Sequence, residues 1–193
     1  MKIFKGLDNI PEFEGSVVAI GAFDGVHLGH KRILQFLREE SAKINATNII
    51  VTFDPHPKTI LSNDDNFFTI NTLNENLRLF EQQNIDIVII LPFTEEFSKI
   101  SYQDFLNDII INKLPAKALL MGPNHSIGHN REGNHNNLNN NTLTKKLNII
   151  EIPEELHNNA GVHSALIRKH IKLKEWDRVD ELLGYNYNHK NEK

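Results

Sequence analysis

Two histidines three residues apart are the strongest chemical signal in the sequence. His27 and His30 lie in residues 21–30, which read G-A-F-D-G-V-H-L-G-H. An apolar run typical of a buried strand precedes this stretch, and a segment with helical periodicity follows it. At such a turn the free N–H groups of the first helical turn and the positive end of the helix dipole favour anions. Side chains with this spacing lie on one side of a helix, so we predict that both imidazoles bind the same phosphate chain.

Glycines flank these histidines where a bound phosphate chain would require them. Gly21 and Gly25 permit a tight turn and a close approach of the backbone to the ligand. Gly29 stands between the histidines, where a larger side chain would crowd the ligand. We therefore assign all three glycines to the phosphate site.

Two other interpretations fit the same residues. The histidines could belong to a metal site together with His56, His125 or His163, although zinc sites use three or four protein ligands and no cysteine is present to complete the set. Alternatively, the glycines and histidines could merely form a turn and a helix cap. The ten-residue pattern in its strand-turn-helix context favours phosphate binding over both.

Five short apolar runs rich in Val and Ile predict the strands that position this motif. They cover residues 16–21, 47–53, 85–93, 116–122 and 148–153, and helical periodicity appears over residues 28–42, 72–83, 102–114, 161–172 and 174–183. Continuous apolar strands joined by crossover helices form a parallel sheet buried on both faces. We predict an α/β fold with a five-stranded parallel sheet and helices on both faces.

The remaining segments are predicted to be irregular. Residues 125–141, rich in Gly and Asn, are interpreted as a long loop. Residues 185–193 are interpreted as a polar C-terminal tail that frays. This organisation leaves one domain over residues 1–184.

The composition limits the classes of function. With 39% hydrophobic and 24% charged residues among 193, the chain can bury a continuous core. A net charge of −4 argues against a broad surface for nucleic acid. The sequence has neither a signal-peptide pattern nor an apolar run long enough to cross a membrane, so we expect a cytoplasmic protein with no membrane or nucleic-acid partner. Its oligomeric state is left open.

The stretch at residues 21–30 resembles the G-x-F-D-G-x-H-x-G-H signature of nucleotidyltransferases. Its particular residues resemble the form of this signature found in bacterial FAD synthetase. Three further stretches resemble that family in the same order. Residues 51–57 (V-T-F-D-P-H-P) resemble its T-F-E-P-H-P loop, residues 86–93 resemble its third strand, and residues 128–134 (G-H-N-R-E-G-N) resemble its G-R-N-R-E-G loop. The resemblance covers nearly the whole chain and implies the Rossmann-like nucleotidyltransferase fold.

The resemblance implies an enzyme that transfers AMP from ATP to the phosphate of FMN and forms FAD and pyrophosphate. The acceptor oxygen would attack the α-phosphorus directly, so catalysis would consist of positioning and charge stabilisation. His27 and His30 would hold the ATP phosphates, with Phe23 and Asp24 in the same nucleotide-binding turn. Asp24 would organise the turn and help to hold Mg²⁺, which enters with ATP and keeps most of its waters. An ordinary turn residue explains Asp24 equally well.

The resemblance also implies residues on the flavin side of the site. Pro55, His56 and Pro57 would line the flavin ring, although a rigid turn explains the prolines as well. Asn124, in the loop after the fourth predicted strand, would belong to the flavin side too.

Three residues would supply further phosphate contacts. Arg131, in the loop after the fourth predicted strand, would reach a phosphate. Ser164 and Arg168 lie four residues apart at the start of a predicted helix, a geometry suited to clasping a phosphate. We predict that Arg168 acts together with the two histidines. A helix cap and a solvated arginine are the simpler interpretations of these side chains.

The sequence departs from the family pattern in two motifs. The family carries S-S-T-x-I-R where residues 163–168 read H-S-A-L-I-R, so His163 and Ala165 replace two hydroxyl residues. Each lost charge-assisted hydrogen bond would cost about 1.5–3 kcal/mol. The family also carries G-x-D-[FH]-x-F-G where Asn124 and Ile127 replace an acid and an aromatic residue.

These departures leave two alternatives to an FMN adenylyltransferase. One is a nucleotide- or flavin-binding protein that has lost catalysis. The other is an adenylyltransferase with a different acceptor. Family members also continue into a β-barrel riboflavin kinase, which we expect to be absent or omitted here.

Overall fold

Six parallel strands form the central sheet of the computed structural model, which describes residues 1–62, 64–123, 125–139, 147–157 and 160–188. The strands are β1 Lys2–Lys5, β2 Ser16–Ile20, β3 Thr47–Asp54, β4 Ile87–Pro92, β5 Ala116–Met121 and β6 Asn148–Glu151. Their order is β1-β4-β3-β2-β5-β6. The chain proceeds from β2 outward to β3 and β4, and then returns to the other side of β2 for β5 and β6. Open parallel sheets bind ligands at the carboxyl ends of the strands beside such a reversal.

Seven helices surround the sheet in the described part of the chain. They are α1 Leu28–Lys43, α2 Pro57–Leu61, α3 Leu73–Gln82, α4 Tyr102–Asp104, α5 His135–Asn139, α6 Ser164–Lys172 and α7 Trp176–Leu183. Helix α4 continues directly as a π-helix, Phe105–Lys113, and short 3₁₀ turns lie at Phe97–Lys99 and His129–Arg131. A two-stranded antiparallel hairpin, β7 Leu156–His157 with β8 Ala160–Gly161, precedes α6.

Helices cover both faces of the sheet, because apolar side chains of the strands point to both faces. Successive strand residues point to opposite faces. In β2, Val17 belongs to the same core cluster as Leu34 of α1 and Phe80 of α3, whereas Val18 belongs to the cluster that includes Leu106 of the π-helix. The predicted α/β class, with a buried parallel sheet and helices on both faces, is confirmed. In the ranges given above, no helix is both long and apolar enough to cross a membrane.

The predicted number of strands is wrong by one. Strand β1, with the sequence K-I-F-K, pairs in parallel with β4 at the edge of the sheet. Lys2, Ile3 and Lys5 are exposed, because an edge strand is covered less completely than a central one. Four residues with a lysine at each end carry too little apolar signal to be recognised as a strand.

Two predicted boundaries near the C-terminal helices differ from the structure. The helix predicted over residues 161–172 begins at Ser164, because Gly161 pairs with Leu156 in the hairpin. The tail predicted to fray from Tyr185 is held in place at its start. The Tyr185 hydroxyl donates to the Gly25 carbonyl at 2.7 Å and accepts from Asn71 Nδ2 at 2.8 Å. Residues 189–193 lie outside the described residues.

The segment predicted as a long loop, residues 125–141, contains two short helical elements. These are the 3₁₀ turn His129–Arg131 and helix α5. Leu138 of α5 is fully buried and joins the core on the π-helix side of the sheet. This single apolar residue, surrounded by asparagines, gave no periodicity from which a helix could be predicted. Residues 140 and 141 lie outside the described part of the chain.

Candidate active site

The turn that follows β2 has a strained backbone. Phe23 and Val26 have φ angles of 47° and 38°, and Gly25 has a φ of 81°. Positive φ is rare for a β-branched residue such as Val26, and it persists where the surrounding structure enforces it. A Cβ atom on Gly25 would lie only 2.9 Å from the Ile70 side chain. The shape of the turn therefore depends both on its positive φ angles and on the close packing of Ile70 against Gly25.

Asp24 is the centre of the contacts that enforce this turn. Its Oδ1 accepts hydrogen bonds from the backbone N–H groups of Ile70 at 2.8 Å and Asn71 at 3.4 Å. Its Oδ2 accepts from Arg168 Nη1 at 2.6 Å, and the Ser164 hydroxyl donates to its backbone carbonyl at 3.1 Å. Burial raises the pKa of the Asp24 carboxyl, although Arg168 and the two amides lower it in part. Asp24 thus joins helix α6 to the turn.

These contacts change the interpretation of three residues assigned from the sequence. The Ser164 hydroxyl hydrogen is engaged by a backbone carbonyl, so Ser164 does not offer it to a phosphate in this structure. Arg168 uses one Nη1 donor on Asp24, and among the described residues its other N–H groups have no hydrogen-bond acceptor. Both oxygens of Asp24 are occupied, which favours the turn-residue interpretation of Asp24 over a metal ligand.

The rings of His27 and His30 stack with centroids 3.6 Å apart, so the two imidazoles lie together as their spacing predicts. His27 is the N-cap of α1, where its Nδ1 accepts the backbone N–H of His30 at 3.3 Å. The neutral His27 ring therefore carries its proton on Nε2. Phe23 is buried with its ring 5.2 Å from that of His30, so it packs behind the histidine pair.

Both histidines of the motif are neutral at pH 7. Burial and, to a smaller extent, the neighbouring His163 and Arg168 lower the pKa of His27 to about 3. Burial, His27 and His125 lower the pKa of His30 well below its ordinary value. These rings can therefore donate hydrogen bonds to an anion as neutral imidazoles. Within the residues that the structure describes, no three His, Asp or Glu side chains are placed to hold a metal ion.

A pocket of about 450 Å³ lies at the carboxyl ends of β2 and β5, and we refer to it as the first pocket. The N-terminal ends of α1 and α6 both contribute to its wall, so two helix dipoles present their positive ends there. No side chain caps the first turn of α6. Gly29 lacks room for a side chain, because a Cβ atom would lie 3.0 Å from the Val162 carbonyl. The residues assigned from the sequence that line the first pocket are Gly21, Phe23, Asp24, His27, Gly29, His30, His56, Ser164 and Arg168.

The Pro55-His56-Pro57 stretch is divided between two pockets, contrary to the expectation that it lines one side together. His56 lines the first pocket and caps α2, with its Nδ1 accepting the Lys58 N–H at 3.0 Å. Burial, Arg168 and Lys58 lower the pKa of His56 to about 4. Pro57 lines the neighbouring pocket. Pro55 is exposed after a cis Asp54-Pro55 peptide bond and is absent from both described linings.

A second pocket of about 410 Å³ adjoins the first and has an aromatic wall. Phe53 lies near the end of β3, and Phe93 directly follows β4. Their rings meet edge to face at 5.5 Å, with Phe97 and Phe105 beside them. Arg131 also lines this pocket, where its Nε donates to the Ser126 hydroxyl at 2.9 Å. The arrangement suits a flat apolar ring system that carries a polar or charged end.

Several residues of the two pockets were missed in the sequence. Phe53 and Phe93 could have been found, because each lies at the carboxyl end of a predicted strand. Lys58 and His125 also line the first pocket. Lys58 belongs to no recognisable pattern, whereas His125 fits the [FH] position of the family loop but was considered only as a possible metal ligand. Ile127, noted as a departure from the family, lines the second pocket. Asn124, which we assigned to the flavin side, lies outside the described residues.

Comparison with known proteins supports one family. The chain matches the family model of FAD synthetase over residues 9–166. The bifunctional riboflavin kinase/FMN adenylyltransferase of Buchnera aphidicola subsp. Acyrthosiphon pisum is 33% identical over 185 residues, which are 95% of this chain and 59% of that protein. The protein of the same name from Escherichia coli strain K12 is 34% identical over 135 residues, or 69% of this chain and 43% of that protein. The chain thus spans about three fifths of the length of the Buchnera relative.

Solved structures support the fold. A macrolide-efflux protein from Streptococcus pneumoniae superposes with a TM-score of 0.84 at 23% identity, over 96% of this chain and 60% of that one. A pantothenate synthetase from Thermus thermophilus superposes with a TM-score of 0.56 at 10% identity, over 92% of this chain and 72% of that one. These likenesses concern the fold alone. Because the family model covers most of the chain and includes the histidine turn beside β2, the chain belongs to the FAD synthetase family.

Proposed function

We propose that this chain is an FMN adenylyltransferase, which transfers AMP from ATP to FMN and releases FAD and pyrophosphate. Two adjoining pockets carry the proposal: one is lined by His27, His30 and Arg168 beside two helix N-termini, and the other has an aromatic wall. The names of the relatives include FMN adenylyltransferase activity. ATP would occupy the first pocket, and the flavin ring would occupy the second.

The residues of the first pocket would act by positioning and by stabilising charge. The FMN phosphate oxygen would form a bond to the α-phosphorus of ATP while the bond to pyrophosphate breaks on the opposite side. His27 and His30 would donate N–H groups to the phosphate oxygens, and the helix N-termini would add backbone donors. Arg168 would place its remaining N–H groups on the same phosphates. No covalent enzyme intermediate is required.

Mg²⁺ fits this site as a companion of ATP. The carboxylates in the described lining of the first pocket belong to Asp24, Glu154 and Glu155, and the Asp24 oxygens are already occupied by Arg168 and two amides. Mg²⁺ commonly keeps several waters and binds through substrate phosphates. We propose that the ATP phosphates hold the ion, that Glu154 and Glu155 accept hydrogen bonds from its waters, and that the ion neutralises part of the phosphate charge.

A product assay tests the proposed function. The purified protein is incubated with ATP, Mg²⁺ and FMN, and both FAD and pyrophosphate are measured. We expect the two products in equal amounts, and none when riboflavin, which lacks the acceptor phosphate, replaces FMN. Absence of both products at high enzyme concentration would contradict the proposal.

A binding protein without catalysis is the second candidate, and the start of α6 favours it. His163 and Ala165 line the first pocket where the family pattern carries hydroxyl groups, and the His163 Nδ1 lies 2.8 Å from the Gly161 carbonyl. The double variant His163→Ser, Ala165→Thr restores the family residues. An increase in FAD formation of roughly tenfold or more would indicate decayed catalysis, whereas unchanged rates would indicate a different acceptor or role.

We further propose that residues 1–184 act as one nucleotidyltransferase domain, and that the reaction takes place in the cytoplasm, where ATP is available. The continuity of the central sheet from β1 to β6 supports the first statement.

A further inference from the structure

Four residues line both pockets, and one of them has a polar side chain. The four are Ile20, Gly21, Ala22 and His125. The first three come from the end of β2 and the turn after it, and they contribute only apolar side chains or backbone. His125 comes from the other side, in the loop after β5. In the described lining, it is therefore the one side chain that can offer a hydrogen bond where the two pockets meet.

The imidazole of His125 is prepared for such a contact. Its Nδ1 is buried and has no hydrogen-bond partner among the residues described in the structure. A buried polar atom without a partner is costly, and native proteins usually pair such atoms with protein, water or ligand. Burial and the neighbouring Arg131 lower the pKa of His125 to about 4, so the ring is neutral at pH 7 and carries one N–H.

The place of His125 also matches what the proposed reaction needs. The acceptor phosphate must leave the flavin pocket and approach ATP in the first pocket at their common wall. His30 lines the first pocket close enough to His125 for the two rings to interact electrostatically, and its Nδ1 is likewise buried without a described partner. We propose that His125 binds the phosphate group of the flavin acceptor with a hydrogen bond and so positions it for transfer. This inference rests on the proposed function and adds a phosphate-selecting residue to it.

The test compares FMN with riboflavin, which has the same ring system but no phosphate. Binding of each flavin is followed by quenching of flavin fluorescence, and ATP binding by calorimetry, in the wild-type protein and in His125→Phe. The variant keeps a ring of similar size but removes the N–H group. We expect the Kd of FMN to rise roughly 10- to 100-fold, while the Kd values of riboflavin and ATP stay within about twofold of the wild type.

Two further variants separate this role from general damage to the pocket. His125→Gln keeps an N–H donor and should recover part of the FMN affinity. His129→Phe alters another histidine of the second pocket, whose Nδ1 already lies 3.3 Å from the Ser98 carbonyl, and the ratio of FMN to riboflavin affinity should not change. Thermal melting shows whether each variant folds.

The outcomes distinguish this inference from the proposed function. If His125→Phe loses affinity for FMN and riboflavin equally, loses affinity only for ATP, or loses none, the role of His125 is wrong while FMN adenylyl transfer stands. If the wild-type protein neither binds FMN nor forms FAD, the proposed function fails and this inference fails with it. A loss confined to FMN supports both.

Discussion

At the scale of single residues, His27 combines a structural contact with a free donor. Its Nδ1 caps α1 by accepting the His30 N–H, which leaves the proton of the neutral ring on Nε2. The low pKa values of His27 and His30 follow from burial and from neighbouring cationic or imidazole groups. Neutral imidazoles bind phosphate less strongly than cations do, but they keep the same protonation state across the physiological pH range.

Substitutions at His27 should separate the cap from the phosphate contact. Asn is a good N-cap residue and Ala is a poor one, so His27→Ala should be about 1 kcal/mol less stable than His27→Asn. Both variants lack the Nε2 donor, and both should form FAD roughly 10²–10³ times more slowly. Urea unfolding and turnover assays check the two effects. Turnover in His27→Asn close to the wild-type value would show that the imidazole does not act on the phosphates.

At the scale of secondary-structure elements, the position of α6 depends on Asp24. Arg168 of α6 pairs with the Asp24 carboxylate at 2.6 Å, and the two side chains are only 12% and 3% exposed. Ser164, at the first position of the helix, bonds the Asp24 carbonyl. Helix α6 brings His163 and Ala165 to the first pocket, so this ion pair helps to hold one wall of the pocket in place. Arg168 therefore has a structural role in addition to the phosphate contact proposed for it.

A pair of variants separates these two roles of Arg168. Arg168→Gln leaves the Asp24 carboxylate buried without its partner, and it should lower the free energy of unfolding by about 3–5 kcal/mol. The double variant Asp24→Asn, Arg168→Gln removes both charges and should recover part of that stability. If Arg168 also contacts the ATP phosphates, FAD formation stays low in the double variant. Recovery of turnover in parallel with stability would show that Arg168 acts only through the fold.

At the scale of the whole molecule, the parallel sheet gathers distant segments around one edge. The turn after β2, the start of α2, the loop after β5 and the start of α6 all contribute histidines to the first pocket: His27, His30, His56, His125 and His163. Burial lowers the pKa of four of these rings, those of His27, His30, His56 and His125, so protonating those four is unfavourable in the folded state. The stability of the protein should consequently depend on pH.

The direction of this dependence follows from the pKa values. In the folded protein the pKa is about 3 for His27 and about 4 for His125, against about 6.5 in an unfolded chain. Between these values the unfolded chain binds more protons, so acidification favours unfolding. Each of these histidines should lower the free energy of unfolding by up to about 1.4 kcal/mol per pH unit below about pH 6.5.

Urea unfolding at about pH 7, 6 and 5 measures this slope. The range begins just above the pKa of a free histidine, which is about 6.5. His125→Phe removes one of the titrating groups, and its slope should be shallower than that of the wild type by up to about 1.4 kcal/mol per pH unit. A wild-type stability that does not change between about pH 6.5 and 5.0 would contradict the burial of neutral histidines.

Much of the fold could be predicted because its signals are local. Strands β2 to β6 are continuous apolar runs, and the helices between them show their periodicity, so the parallel sheet and the place of the histidine turn follow from the sequence. Strand β1 was missed because an edge strand needs little apolar sequence. That His56 and Pro57 line different pockets could not be predicted, because it depends on where α2 begins relative to the two pockets.

The sequence by itself predicted a phosphate-binding turn after a buried strand, and it determined that both histidines of this turn lie together. The tertiary structure alone decided which groups remain for a ligand. It showed that Asp24 is occupied by Arg168 and two backbone amides, and that His125 lines both pockets. The physical reason is that hydrogen-bond partners distant in sequence, such as Asp24 and Arg168, meet only when the sheet and α6 pack together.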